Sequence, residues 1–163
     1  MQSTREAPFQ DRLRDLILGI IRNARFDGVE LVIERDYPMD NKKADLVLID
    51  KASRRPVLII ETKRKYIEAG SFRTDTRLNP MSRAVIGQAL CYAALARNAF
   101  NLPSTPLFAT ANPGGMVVFA PIERPEEFVD MDACREGRYD QALRPGKYSD
   151  LINKYRLDIV RIT

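Results

Sequence analysis

The stretch "ADLVLIDKASRRPVLIIETK", residues 44–63, constrains this chain more than any other. Two apolar runs of strand length flank a polar loop of hairpin length, so they read as neighbouring antiparallel strands, Ala44–Asp50 and Val57–Lys63. The second run is the most hydrophobic strand of the chain, yet it ends in an acid, a threonine and three cations. The rest of the pattern surrounds this hairpin. Phe9, Leu13, Leu16, Ile17, Ile20 and Ile21 recur at helical spacing and predict an amphipathic helix from about Pro8 to Ala24. "VELVIERDY" predicts a strand, Val29–Tyr37. "YIEAGSFRTDTRL" reads as an exposed loop. "NPMSRAVIGQALCYAALARN" predicts a helix with Asn79 as N-cap and Pro80 in the first helical position. "TPLFATA", "NPGG" and "MVVFAP" predict strand, turn and strand. The remainder is mixed and holds one or two short helices, the clearest over Tyr148–Lys154. Helix, three-strand meander, helix and strand pair make an α/β arrangement with helices flanking a mixed sheet.

Composition limits the chemistry. At 163 residues the chain is read as one domain, 1–163, long enough to bury a real core. Histidine is absent, which removes Ser-His-Asp triads, Cys-His dyads and any site with a histidine base. Cys91 and Cys134 are too few for a disulfide framework or a cysteine-only zinc site. Catalysis, if present, falls to carboxylates, lysine, tyrosine or a bound metal. No apolar run approaches the roughly 20 residues that span a bilayer, and "MQSTREAPFQDR" lacks the apolar core of a signal peptide. The expectation is a cytoplasmic protein that does not enter membranes. A net charge of +4 favours a polyanionic partner.

Residues i and i+2 of a strand share a face, so Glu61 and Lys63 project together and Thr62 projects to the other side. Pairing Asp50 with Val57 or Pro56 puts residue 45 opposite residue 62 or 61, which lands Asp45 beside Glu61. Two adjacent carboxylates need a counter-charge at neutral pH. A divalent metal supplies one, and Mg²⁺ favours a couple of carboxylates completed by water and phosphate oxygens. Charged residues also end strands merely where they reach solvent, so the combination carries this reading.

In this order and spacing, "AD" followed sixteen residues later by "ETK" resembles the PD-(D/E)XK nuclease superfamily. Ala44 stands where the family usually has proline. The likeness covers about residues 9–121, leaving 122–163 as an extension of unclear role. It is nearest to the N-terminal nuclease domain of type I restriction motor subunits, whose pattern Glu34 and the "PLFATANPGGMVVFAP" strand pair also match. The resemblance implies a restriction-endonuclease-like core, αβββαβ, with Asp45, Glu61 and Lys63 catalytic. It further implies metal contacts by Asp45, Glu61 and Thr62, and a Gln88–Tyr92 helix motif contributing to the site. Many members carry a first-helix glutamate directed at the metal; Gln10 falls in that slot here, with Glu6 one turn earlier.

The resemblance thus implies a Mg²⁺- or Mn²⁺-dependent nuclease acting on DNA phosphodiesters, with endonuclease favoured over exonuclease. Lys42, Lys43, Arg64, Lys65, Arg73, Arg77 and Arg83 flank the expected site and would neutralise phosphates. Other domains or subunits of a restriction system and a homodimer are the further partners considered. A catalytically inactive DNA-docking domain of the same fold is the alternative, and an RNA substrate stays open.

Overall fold

The computed structural model describes residues 10–15, 17–18, 30–39, 42–63, 67–68, 71–72, 82–112 and 115–161. Residues 10–15 and 17–18 are helical and form α1. The meander follows as β1 (Leu31–Met39), β2 (Lys42–Asp50) and β3 (Pro56–Thr62). The segment expected as loop holds a two-residue ladder, β4 (Ile67–Glu68) against β5 (Ser71–Phe72). Helix α2 (Arg83–Phe100) leads to β6 (Leu107–Asn112) and β7 (Gly115–Phe119). The C-terminal part folds as α3 (Met131–Glu136), α4 (Tyr139–Ala142), α5 (Lys147–Asp150), a π-helical turn at Leu151–Tyr155 and β8 (Arg156–Arg161).

The main sheet has the order β1-β2-β3-β6-β7-β8. Among the described residues only β3 and β6 pair in parallel, because α2 supplies the crossover between them. The expected mixed sheet flanked by helices is therefore present, enlarged by β8 at its edge. Sequence reading missed β8: its alternation is six residues long and follows a helical stretch without a turn residue.

The central strands are buried on both faces. Val47, Ile49, Ile59, Phe108, Val117 and Phe119 join Ile86 and Leu90 of α2 in one core. Leu46, Leu48, Ile60, Ala109 and Ala111 join Leu13 and Ile17 of α1 in the other. Burying a leucine or isoleucine of that kind contributes roughly 1.5–3 kcal/mol, so Leu13 and Ile17 hold α1 against the sheet. Gln10, one turn before Leu13, is carried onto the same face.

Ser82 caps α2 and accepts from the Val85 amide at 3.3 Å. The cap expected from the sequence, Asn79, lies with Pro80 outside the described residues; the observed cap is a serine in extended conformation three residues before Val85. Helix α2 is buried almost all round, since the C-terminal helices cover its other side. Its small residues permit that approach. A Cβ on Gly87 would stand 2.7 Å from the Tyr139 carbonyl oxygen. Cys91 of α2 and Cys134 of α3 are joined in a buried disulfide, 43 residues apart. One bridge is no framework, but closing a loop of that size contributes about 2–4 kcal/mol by restricting the unfolded chain.

Candidate active site

Asp45 sits where the regular pleat breaks. Leu31 and Ile33 face the α1 core, whereas Tyr37 and Met39 face the α2 core, so β1 changes its alternation at Asp36. Asp36 has φ 51°, a left-handed conformation that aspartate tolerates. On β2 the faces also exchange, between Leu46 on the α1 side and Ala44 on the α2 side. The pairs Arg35↔Leu46 and Tyr37↔Ala44 bracket both irregular residues. Pairing of β2 with β3 runs as far as Leu46↔Ile60, after a bulge near the turn. That register carries Asp45 toward Glu61 as expected, but the turn-end pair is Ile49↔Pro56 instead of Asp50 with Pro56 or Val57, and the bulge makes up the one-residue difference.

The Asp45 carboxylate reaches across this break. Its Oδ2 accepts from both the Thr62 amide and the Thr62 hydroxyl, each at 2.9 Å. The hydroxyl in turn accepts from Gln10 Nε2 at 2.9 Å. Arg35 donates to Gln10 Oε1 at 3.3 Å and pairs with Asp11 at 2.5 Å. Gln10 is thus buried, but its amide is aimed at Thr62. Thr62 acts on Asp45 through its amide and hydroxyl, a role that face alternation alone did not reveal.

Glu61 lies on the opposite face of β3, 2% exposed. Its Oε1 is 3.4 Å from Lys63 Nζ, while Oε2 is buried without a hydrogen-bond partner. Burial first, then the Asp45 charge, pushes the Glu61 carboxyl well above the usual carboxylate range; Lys63 opposes them. Lys63 is positioned by its own amide, which donates to the Ala111 carbonyl on β6 at 2.7 Å.

Helix α2 brings its motif to the same side. Gln88 Nε2 donates to Tyr92 Oη at 3.1 Å. Burial, followed by the Glu61 charge, raises the Tyr92 phenol. A residue outside the sequence-based set joins them: Tyr139 of α4 donates to Tyr92 Oη at 3.3 Å, with the rings edge to face. No local pattern signals a contact across 47 positions.

The other expected residues divide. Lys43 is exposed at the start of β2. Lys42 Nζ lies 3.3 Å from where a Cβ on Gly137 would stand, against the C-terminal helices. Arg83 donates to the Leu143 carbonyl, which ties the start of α2 to the segment after α4. Glu34 pairs with Arg54 at 2.7 Å. Glu6, Arg64, Lys65, Arg73 and Arg77 lie outside the described residues.

The donor set fits a hard divalent cation. Asp45 and Glu61 offer carboxylate oxygens, and a buried oxygen without a hydrogen-bond donor is what such an ion would satisfy. Among the described residues no three acidic, histidine or cysteine side chains converge, so water and substrate oxygens would complete the coordination.

No family model matches the chain, and no curated protein matches it. Among solved structures, the crystal structure of the type IIG restriction endonuclease BpuSI is similar, with TM-score 0.54 and 14% identity. The match covers 89% of this chain and 18% of that one. No helix among the described residues is long and apolar enough to cross a membrane. The six-stranded mixed sheet, its flanking helices and this likeness together give the chain a restriction-endonuclease-like fold.

Proposed function

We propose that the chain is a metal-dependent nuclease domain that hydrolyses DNA phosphodiester bonds, as an endonuclease. The observation that carries this reading is buried Glu61, 3.4 Å from Lys63 and close enough to Asp45 to feel its charge, where the β2–β3 pairing ends. Asp45 and Glu61 would hold Mg²⁺ or Mn²⁺, which when bound polarises a phosphodiester and lowers the pKa of water. Thr62 keeps one Asp45 oxygen occupied and its carboxylate fixed. Lys63 stands beside Glu61, where its ammonium can stabilise negative charge that grows as the phosphorus centre is attacked. Tyr92 and Gln88 close the α2 side and limit the solvent reaching Glu61.

Lys43 supplies an exposed positive charge near this edge, and Arg64, Lys65, Arg73 and Arg77 add more in the sequence that follows β3. This suits a phosphate backbone better than base reading. The similarity to a type IIG restriction endonuclease supports a role in restriction or DNA processing, with this domain working beside other domains or subunits. One observation favours the alternative of a docking domain: the slot for a first-helix acid holds Gln10, which adds no charge and bonds to Thr62. Plasmid nicking decides between them. The nuclease reading expects cleavage with Mg²⁺ or Mn²⁺, none with EDTA and none by Asp45→Ala. DNA binding without cleavage under any divalent metal establishes the docking domain instead.

A further inference from the structure

We propose that Tyr139, from the C-terminal extension, is a positioning residue for the nuclease centre, holding the Tyr92 hydroxyl in place beside Gln88 on the α2 side of the site. The proposal rests on the nuclease reading for its consequence and on the C-terminal helices for its geometry.

A phenol oxygen offers one proton and two acceptor sites. Gln88 Nε2 and Tyr139 Oη donate to the Tyr92 oxygen at 3.1 and 3.3 Å. These two contacts fix the Tyr92 hydroxyl between α2 and α4. Burial first, then the charge of nearby Glu61, raises the Tyr92 phenol, so the place of this hydroxyl bears on the environment of the carboxylate.

Tyr139 is itself fixed. Its carbonyl lies against Gly87, one residue before Gln88, so closely that a Cβ there would meet it at 2.7 Å. The Cys91–Cys134 disulfide joins α3 to α2 beside Tyr92. Arg83 ties α2 to the Leu143 carbonyl beyond α4. Three independent ties on one helix hold the extension in register with the Gln88–Tyr92 pair, more than a merely space-filling cover requires.

Tyr139→Phe keeps the ring and removes the hydroxyl. Single-turnover cleavage at saturating enzyme and metal should fall about five- to tenfold, the scale of one hydrogen bond. DNA affinity should hold, and melting temperature should fall by no more than the roughly 2–4 °C that one hydrogen bond is worth in a domain of this size. If Tyr139 acts through Tyr92, the double variant Tyr92→Phe/Tyr139→Phe should cut no more slowly than Tyr92→Phe alone. An unchanged rate in Tyr139→Phe, or full additivity in the double variant, overturns the proposal. Proton NMR gives a readout that needs no cleavage: the Tyr92 hydroxyl proton should exchange slowly in the wild type and rapidly in Tyr139→Phe. Should the wild type cut no DNA, the nuclease reading falls and the NMR comparison alone decides whether Tyr139 holds Tyr92. Faster exchange upholds that contact, and unchanged exchange overturns it.

Discussion

Glu61 and Thr62 are neighbours in the chain and opposites in environment. On the α1 side, Thr62 stands in a continuous series in which Arg35 holds Gln10, Gln10 holds Thr62, and Thr62 holds Asp45. On the α2 side, Glu61 is equally buried, yet one of its oxygens has no donor and its charge is opposed only in part by Lys63. Both positions cost desolvation. The first side offsets it with hydrogen bonds and gains rigidity. The second leaves it uncompensated, as a group does when its partner is a ligand. The difference separates the scaffold of the site from its reactive face, and each prediction below probes one side.

The largest effect belongs to the reactive face. Lys63→Ala should retain the fold and most DNA affinity, yet slow single-turnover cleavage by about a hundredfold or more, the usual effect of losing one transition-state contact. Cleavage at the wild-type rate would make Lys63 an ordinary surface charge.

Thr62→Val probes the scaffold. It removes the hydroxyl that donates to Asp45 and strands the Gln10 amide, so chemical denaturation should show a loss of about 1–3 kcal/mol. The Thr62 amide still donates to Asp45, so cleavage should fall less than in Lys63→Ala. A stability equal to wild type would mean that the Gln10–Thr62–Asp45 series does not fix the site.

Gly87→Ala tests the cover over α2. Alanine favours a helix over glycine by about 1 kcal/mol. The added methyl would meet a backbone carbonyl, which cannot rotate aside, and overpacking costs about 1–3 kcal/mol. The net change in unfolding free energy should therefore be destabilising by about 1 kcal/mol. A stabilised variant would show that α4 yields easily.

The smallest effect is a pH dependence in metal-free protein. The folded-state pKa of Glu61 is raised above the ordinary 4.5, so folding favours its protonated form. That contribution is complete below the ordinary value and is lost as pH rises through the raised one. Metal-free protein should lose melting temperature over that window, and Glu61→Gln should lose less. Parallel profiles for the two proteins would contradict the burial argument.

The nearness of Asp45 to Glu61 and Lys63 was legible in the sequence because a short hairpin leaves only neighbouring registers open, and each brings residue 45 opposite 61 or 62. The position of Glu61 and Lys63 on one face, with Thr62 on the other, needed only the two-residue period of a strand. What lay hidden depends on breaks or on distance. The face exchange at Asp36 and Asp45 arises from one left-handed residue, which no periodicity announces. Gln10 reaches Thr62 across 52 positions and Tyr139 reaches Tyr92 across 47; only the closed sheet brings them together. Gly87 was the local clue to the cover, since a glycine within an alanine-rich helix marks a close approach more readily than a helix preference.

Calorimetric titration of Mn²⁺ into the wild type, Asp45→Ala and Glu61→Ala tests the central claim most directly, because it reads the carboxylates without requiring cleavage. The account predicts measurable binding by the wild type and its loss in each variant, with circular dichroism unchanged. Wild-type affinity in both variants would contradict a metal site at the ends of β2 and β3.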